Sequence, residues 1–553
     1  MSHKEQYVEG EGCPNDWETG KKDKNAFECY KKAAEQGNAY AQHNLANCYS
    51  FGEGTEQDLA QAFEWYKKAA EQGVSEAQYN LGVCYLNGEG TEQDDERAFA
   101  WFKKAAEQGV VSAQYNLGVC CANGRGTEQD YAQAFEWYKK SAEQGHADAQ
   151  CSLGVCYLNG YGTDLDYEQA FAWFKKAAEQ DVAVAQNNLG NCCISGIGTR
   201  QDYGQAFAWY KKSAEQGDAA GQNNLGNCYI SGIGAEQDYA QAFAWFKKSA
   251  EQGNAAAQNN LGNCCISGIG TRQDLTQAFE WYKKAAEQGN AEAQYSLGVC
   301  YENGRGTRQD HTQAFGWYKK SAEQGNSKAQ YDLGVCYVDG DGTRQDYGQA
   351  FAWFKKSAEQ GNAQAQYSLG VCYANGRGTE PNYGQAFEWY KKSAEQGNVM
   401  AQNNLGNCYE SGRGTRQDHT QAFEWYKKAA EQGSVYAQYN LGNCYGNGKG
   451  AAQDYAQAIV WYTKSAEQGH ATAQYNLGTF YYYGLGTEQD YRQAFAWFKK
   501  SAEQGDADAQ YNVGVCYYNG NGTAKDYGQA VEWFKKAAAQ GNAEAQNVLR
   551  RLL

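Results

Sequence analysis

Residues 38–73 read NAYAQHNLANCYSFGEGTEQDLAQAFEWYKKAAEQG, and this pattern restarts every 36 residues as far as Gly541 without an insertion or deletion. The chain therefore contains fourteen full repeats. Residues 23–37 match only the second half of a repeat, residues 542–553 match only the first half, and residues 1–22 form a degenerate lead-in. A fixed period of about 20–50 residues is typical of repeat arrays. We therefore expect one array with half-repeats at both ends.

Each repeat has the pattern of a helical hairpin. Apolar residues around Leu45 recur at helical spacing until Gly52, which predicts a first helix from Ala39 to about residue 50. Asp58 is suited to cap a second helix that ends at Gly73. One such hairpin cannot bury enough apolar surface to be stable alone, so successive hairpins are expected to stack. The predicted fold is an all-α solenoid of fourteen 36-residue helical hairpins.

Composition restricts the possible functions. The 553 residues carry a net charge of −16 with a pI near 5.0, which argues against binding to a nucleic-acid backbone and suits a monomer. No run of about eighteen apolar residues occurs, so no contact with a membrane is expected. The N-terminus lacks the apolar stretch of a secretory signal, so the expected location is cytoplasmic.

The nineteen cysteines follow the repeat. Thirteen of the fourteen repeats carry a cysteine at the eleventh position, as at Cys48 and Cys84, and Phe480 takes this place in the remaining repeat. The position lies one helical turn from Leu45, so the cysteine is expected to be a small buried apolar residue. Equivalent cysteines of stacked repeats should lie about 10 Å apart, beyond the roughly 7 Å that a disulfide spans. Reduced, structural thiols are therefore expected, without a metal site.

The repeat resembles the Sel1-like repeat family, a relative of the tetratricopeptide repeats. In residues 38–73 the matching residues are Ala41, Leu45, Gly52, Gly54, Asp58, Ala62, Trp65, Tyr66, Lys68, Ala69, Ala70 and Gly73. Ala46 departs from the pattern, because nearly all later repeats have glycine at this position. The resemblance implies a right-handed superhelix of antiparallel helix pairs that is used mainly as an adaptor or scaffold.

The sixth and tenth positions, which lie one turn apart on the first helix, vary together between repeats. Tyrosine at the sixth position usually goes with valine at the tenth, and asparagine goes with asparagine. By the tetratricopeptide resemblance, this face lines the concave groove of the solenoid. The predicted partner-binding residues are Tyr79, Val83, Tyr115, Val119, Asn187, Asn191, Asn223, Asn227, Asn259, Asn263, Tyr295, Val299, Tyr331, Val335, Tyr367 and Val371. Duplication of a block of repeats without selection is the alternative explanation.

The loops between the two helices change charge along the chain. Early repeats place acidic residues there, whereas later repeats place basic residues at the same two positions. Because the register is constant, the basic residues are predicted to form a basic loop ridge that could attract an acidic segment. Its members are Arg272, Arg305, Arg308, Arg344, Arg377, Arg413, Arg416 and Lys449. Scattered, solvated surface charge is the alternative.

No catalytic set is recognisable in the sequence. The six histidines share no motif, and the glycine-rich loops recur as connectors without the lysine of a phosphate-binding loop. The leading hypothesis is therefore a non-catalytic scaffold that binds protein or peptide partners and needs no cofactor. Two alternatives remain, a nucleic-acid-binding helical-repeat protein and a β-lactam or cell-wall-related hydrolase, an activity attributed to the cysteine-rich subgroup of the resembled family. Retention on nucleic acid or turnover of β-lactams would distinguish them.

Overall fold

The computed structural model describes residues 24–552, which form thirty helices and no strand. The degenerate lead-in predicted for residues 1–22 lies outside the described residues. Contacts within the chain divide it into two parts, residues 1–274 and residues 275–553. We call them the N-terminal part and the C-terminal part, and each is described by itself.

The N-terminal part contains a half-repeat helix and then alternating first and second helices. They are α1 (Lys24–Glu35), α2 (Ala39–Phe51), α3 (Leu59–Glu71), α4 (Ser75–Asn87), α5 (Asp95–Glu107), α6 (Val111–Asn123), α7 (Tyr131–Glu143), α8 (Ala147–Asn159), α9 (Tyr167–Glu179), α10 (Ala183–Ser195), α11 (Tyr203–Glu215), α12 (Ala219–Ser231), α13 (Tyr239–Glu251) and α14 (Ala255–Ser267).

The C-terminal part continues the same alternation and ends in a half-repeat helix. Its helices are α15 (Leu275–Glu287), α16 (Ala291–Asn303), α17 (His311–Glu323), α18 (Ser327–Asp339), α19 (Tyr347–Glu359), α20 (Ala363–Asn375), α21 (Tyr383–Glu395), α22 (Val399–Ser411), α23 (His419–Glu431), α24 (Val435–Asn447), α25 (Tyr455–Glu467), α26 (Ala471–Tyr483), α27 (Tyr491–Glu503), α28 (Ala507–Asn519), α29 (Tyr527–Ala539) and α30 (Ala543–Leu552).

Local residues set the helix ends. The side chains of Asn38 and Asp58 each accept a hydrogen bond from the backbone N–H three residues on, at 2.9 and 3.0 Å, and so cap α2 and α3. Gly52 ends α2 with a φ of 71°, and Gly73 follows α3 with a φ of 94°, both in the region that glycine adopts without strain. These caps make each repeat a hairpin of two 13-residue helices.

Two glycines set how closely the helices pack. A Cβ atom on Gly82 in α4 would lie 2.7 Å from the ring of Phe102 in α5, so glycine lets the two helices of one hairpin approach closely. Gly90 has a φ of 72°, and a Cβ atom there would collide with the carbonyl of Leu59 in the preceding repeat. The first contact sets the spacing within a hairpin, and the second sets the spacing between neighbouring hairpins.

Buried glutamines join each hairpin to the one before it. The Nε2 of Gln78 donates to the carbonyl of Ala70 in the preceding repeat at 3.2 Å. The Oε1 of Gln78 accepts from the Nε2 of Gln108, at the end of its own second helix, at 2.7 Å. Gln330 makes the same two bonds in the C-terminal part, with Ala322 and Gln360. We call this repeated pair of bonds the glutamine relay.

The all-α solenoid of stacked helical hairpins predicted from the sequence is confirmed. In both parts, each helix packs against the next one along the chain, and the core of each part consists of leucine, alanine and aromatic residues; Leu45, Ala69 and Phe102 are examples. First and second helices begin and end within one or two residues of the predicted positions.

Candidate functional site

The predicted tyrosines and valines on the first helices remain partly exposed. Each tyrosine ring packs against the aromatic residue at the twenty-ninth position, on the second helix of the same repeat, as in the pair Tyr331 and Phe354 with ring centroids 5.7 Å apart. The valines one turn further on are half-buried. The structure therefore places these residues as a half-buried apolar row: Tyr79, Val83, Tyr115 and Val119 in the N-terminal part, and Tyr295, Val299, Tyr331, Val335, Tyr367 and Val371 in the C-terminal part. We call the C-terminal group the tyrosine–valine strip.

The predicted asparagines divide into two groups. At the sixth position, Asn187 and Asn223 are only 6% and 8% exposed and Asn259 is half-buried. At the tenth position, Asn191, Asn227 and Asn263 are exposed. Asn187 and Asn223 thus offer little surface to a partner.

Amide hydrogen bonds between repeats account for the buried asparagines. The Nδ2 of Asn224 donates to Asn187 Oδ1 at 2.9 Å and lies 3.3 Å from Asn191 Oδ1, both in the preceding repeat. Asn260 contacts Asn223 and Asn227 in the same way. Buried amides need hydrogen-bonding partners, so the asparagine block stabilises the stacking of repeats as well as forming part of the surface.

The tenth-position asparagines have a second contact that sequence reasoning missed. Asn191 Oδ1 accepts a hydrogen bond from the hydroxyl of Tyr210 at 2.8 Å, and Asn443 accepts one from Tyr462 at 2.7 Å. The signal was present in the sequence, because most asparagines at the tenth position occur with tyrosine at the twenty-ninth. Part of the variation at the tenth position is therefore explained by a hydrogen bond within the same hairpin.

Two acidic residues, Glu302 and Asp332, lie beside the tyrosine–valine strip. The hydroxyl of Tyr318 donates to Glu302 Oε2 at 2.9 Å. Burial raises the pKa of Asp332 to about 6, the hydrogen bond from Tyr295 opposes this rise, and the nearby Glu302 carboxylate adds to it. All other repeats have asparagine or serine in place of Asp332, so this departure was a usable sequence signal that the site prediction did not include.

The residues of the basic loop ridge are all exposed. Arg272 lies in the N-terminal part and the other seven lie in the C-terminal part. The guanidinium groups of Arg377 and Arg413 lie 5.5 Å from the ring centroids of Tyr347 and Tyr383, which belong to the preceding repeats. The Nζ of Lys449 is 4.0 Å from a carboxylate oxygen of Glu410. Exposed contacts of this kind contribute roughly 0.5–1 kcal/mol each and leave the charges accessible.

The repeated cysteines lie in the core. Among the residues that the structure describes, sixteen of eighteen cysteines are buried, and Cys29 and Cys408 are half-buried. Burial raises the pKa of Cys48 to about 11 and that of Cys84 to about 12, with a further contribution from Glu53 and Glu89 respectively. A thiol with so high a pKa is a poor nucleophile near neutral pH. Between residues 24 and 552, no cluster of three or more histidine, cysteine or acidic side chains could hold a metal ion.

The hairpins, their glycine contacts and the glutamine relay define a helical-hairpin repeat protein with a constant core and a variable surface. The Sel1 repeat model matches fifteen segments of the sequence: residues 8–38, 39–74, 75–110, 111–146, 147–182, 183–218, 219–254, 255–290, 291–326, 327–362, 363–398, 399–434, 435–470, 471–506 and 507–542. The chain belongs to the Sel1 repeat family. Repeat solenoids of this kind commonly serve as protein-interaction scaffolds.

Two solved structures illustrate the likeness. The protective antigen c5321 of uropathogenic Escherichia coli strains, which displays the same type of repeat fold, is 38% identical with a TM-score of 0.59. That match covers 88% of this chain and 97% of the antigen. A Sel1 repeat protein from Oxalobacter formigenes is 33% identical over 56% of this chain and 90% of that protein, with a TM-score of 0.44. The search of curated proteins found no match.

The helices between Lys24 and Leu552 do not combine the length and the apolar character that crossing a bilayer requires.

Proposed function

We propose that this protein is a non-catalytic, monomeric scaffold that binds protein or peptide partners along the tyrosine–valine strip and the corresponding face of the other first helices. The observation that carries the proposal is the half-buried state of these residues. Tyr295, Val299 and their equivalents keep apolar surface available while their rings are held by the second helices. Tyrosine is one of the residue types that most often dominate the binding energy at protein interfaces.

The rigid framework supports the same proposal. The glutamine relay and the ring contacts restrain the strip before a partner arrives, so binding would cost little conformational entropy. The net charge of −16 disfavours nucleic acid as the general partner. A reducing compartment suits the buried thiols, and we propose the cytoplasm as the location.

The test of the strip replaces Val299 and Val371 by asparagine. Repeat residues 434–469 already combine Tyr439 with Asn443, so the array itself provides a precedent for this substitution. Partners are captured from nuclease-treated extract of the source cell with the unchanged protein, identified by mass spectrometry and then measured as purified proteins. The double variant is expected to weaken binding at least tenfold.

The matched control replaces the exposed Lys355 and Lys391 by asparagine, on the second helices of the same region. The control is expected to keep the partner. Equal affinity of all three proteins would contradict binding along the strip, and so would equal loss in the variant and the control.

We also propose that the basic loop ridge receives an acidic segment of such a partner. Charge reversal of Arg305, Arg308, Arg413 and Arg416 together is expected to slow association and to flatten its salt dependence, because long-range attraction acts mainly on the association rate. The control reverses four exposed second-helix lysines, which changes the net charge equally: Lys319, Lys355, Lys391 and Lys427. An unchanged association rate and salt dependence in the arginine variant would refute a role for the ridge.

A further inference from the structure

A cleft lies at the C-terminal end of the array. It has a volume of about 410 Å³ and is formed by α26, α27 and α28 together with the start of α30. Its lining residues share an unusual composition, with five aromatic rings, two carboxylates and no lysine or arginine. They are Tyr475, Thr479, Tyr482, Tyr483, Phe498, Asp508, Tyr511, Asn512, Val515, Asn542 and Glu544.

The aromatic wall exists because one repeat departs from the others. In most repeats the thirteenth position is aliphatic and the fourteenth is asparagine or serine, but Tyr482 and Tyr483 occupy the two positions here. The two rings meet edge to face at 5.1 Å, and Tyr482 also lies 6.2 Å from the ring of Phe498. Asn521 donates a hydrogen bond to the hydroxyl of Tyr482 at 3.0 Å, which holds this ring in place. Tyr483 is 66% exposed, so its ring is open to a ligand.

Negative charge lies against this wall. Asp508 and Glu544 are both exposed on the first turns of α28 and α30. The Nδ2 of Asn542 donates to Asp508 Oδ1 at 2.8 Å and fixes the orientation of that carboxylate. The pKa of Tyr475 is raised by burial and by the nearby Asp508, so its phenol stays neutral at physiological pH. Aromatic faces beside a fixed carboxylate are complementary to a cation, because ring faces and carboxylates both attract positive charge.

We propose that this cleft binds an arginine or lysine side chain of an extended peptide. The aliphatic part of the side chain packs against Tyr475 and Tyr482, its charged end stacks on Tyr483, and Asp508 and Glu544 neutralise the charge. The proposal rests on the proposed scaffold function, since it assigns the chemistry of one partner segment. It is separable from that function, because the tyrosine–valine strip is not needed for it.

The test measures binding of a fluorescein-labelled hexapeptide with two arginines by fluorescence anisotropy on the full-length protein. A peptide with citrulline in place of arginine has the same shape without the charge. We expect the arginine peptide to bind at least tenfold more tightly than the citrulline peptide. Equal binding of the two peptides would overturn the proposal, and so would binding of a neutral oligosaccharide at this cleft without binding of the arginine peptide.

Matched variants assign the binding to the cleft. The pair Tyr482→Leu and Tyr483→Asn introduces residues that other repeats carry at these positions, and Asp508→Asn removes one carboxylate. Each change is expected to weaken binding of the arginine peptide at least fivefold. Tyr518→Leu outside the cleft and Glu292→Gln are the controls. Glu292 occupies the position of Asp508 in another repeat and accepts the equivalent hydrogen bond from Asn326 at 2.9 Å, but it has no aromatic wall of this kind beside it.

Equal weakening by Asp508→Asn and Glu292→Gln would mean that the acidic surface attracts the peptide in general, and it would overturn the assignment to the cleft. This result would leave the scaffold proposal intact. That proposal is tested separately, by replacing Val299 and Val371 and measuring binding to the captured partner proteins. Loss of partner binding in that test with arginine-peptide binding intact here would support both proposals, with partner and peptide held at different repeats of the array.

Discussion

Replacing Asp332 by asparagine is expected to stabilise the C-terminal part at neutral pH. The folded state raises the pKa of this carboxyl from the ordinary 3.8 to about 6, mainly by burial. A raised pKa means that folding favours the protonated form. The stabilising contribution is therefore fully present below about pH 4 and is lost as the pH rises through about 6. Asparagine carries no charge at any pH and is the residue that most other repeats have at this position.

The magnitude follows from the shift. A change of about two pKa units corresponds to about 3 kcal/mol at about 1.4 kcal/mol per unit. Asp332 is only half-buried, and solvent screening reduces this value. We expect Asp332→Asn to raise the local free energy of unfolding by about 2 kcal/mol at pH 7.5 and by almost nothing at pH 4.

Hydrogen exchange read by mass spectrometry is the suitable assay, because a long repeat array does not unfold in one step. In peptides that cover α18, a gain of about 2 kcal/mol corresponds to roughly 30-fold slower exchange at pH 7.5. Asp339→Asn is the matched control, since Asp339 is exposed on the same helix and asparagine is common at its position too. Equal exchange in the variant and the unchanged protein at pH 7.5, or the same gain at both pH values, would refute this reasoning.

Four further predictions concern the framework and its buried thiols. Gln330→Ala removes both bonds of one glutamine relay and leaves the amide of Gln360 without its acceptor, so exchange in α18 and α19 should become faster by an amount equivalent to about 1–3 kcal/mol. Gly378→Ala should lower the local free energy of unfolding, measured by hydrogen exchange, by at least about 2 kcal/mol. The φ of Gly378 is 73°, and a Cβ atom there would meet the carbonyl of Tyr347. Gly316→Ala should slow hydrogen exchange in α17 by an amount equivalent to about 0.5–1 kcal/mol, since this helical glycine has no atom within 4 Å of an added Cβ. Thiol reagents should label few cysteines in the folded protein at pH 8 and nearly all nineteen after unfolding without reductant; labelling that is already extensive in the folded state, or blocked until reductant is added, would contradict the buried, reduced thiols.

Local sequence signals predicted the hairpins well. The helical spacing around Leu45, the glycine at Gly52 and the cap at Asp58 all act within a few residues, so a single repeat contains the information. The eleventh-position cysteine was recognisable as a core residue for the same reason, because Leu45 lies one turn away.

Contacts between repeats were not predictable in the same way. Asn187 is a polar residue on a face expected to be open, and its burial depends on Asn224, which lies 37 residues along the chain. The bond from Gln108 to Gln78 likewise joins residues 30 apart. Such pairs depend on how far one hairpin is shifted and rotated against its neighbour, which no single repeat encodes. The aromatic cleft was missed because it requires two successive repeats and the terminal half-repeat together.

The glutamine relay also bears on how such a protein can change length. The junctions between full repeats in the C-terminal part use the same two bonds, so removal of residues 327–362 would place Gln366 beside Ala322 and restore them. Recombination between nearly identical coding segments could therefore add or delete one hairpin without leaving a mismatched joint. Copy number then becomes a heritable variable, and the order of surface residues can be shuffled while the hydrogen bonds that join the hairpins stay the same.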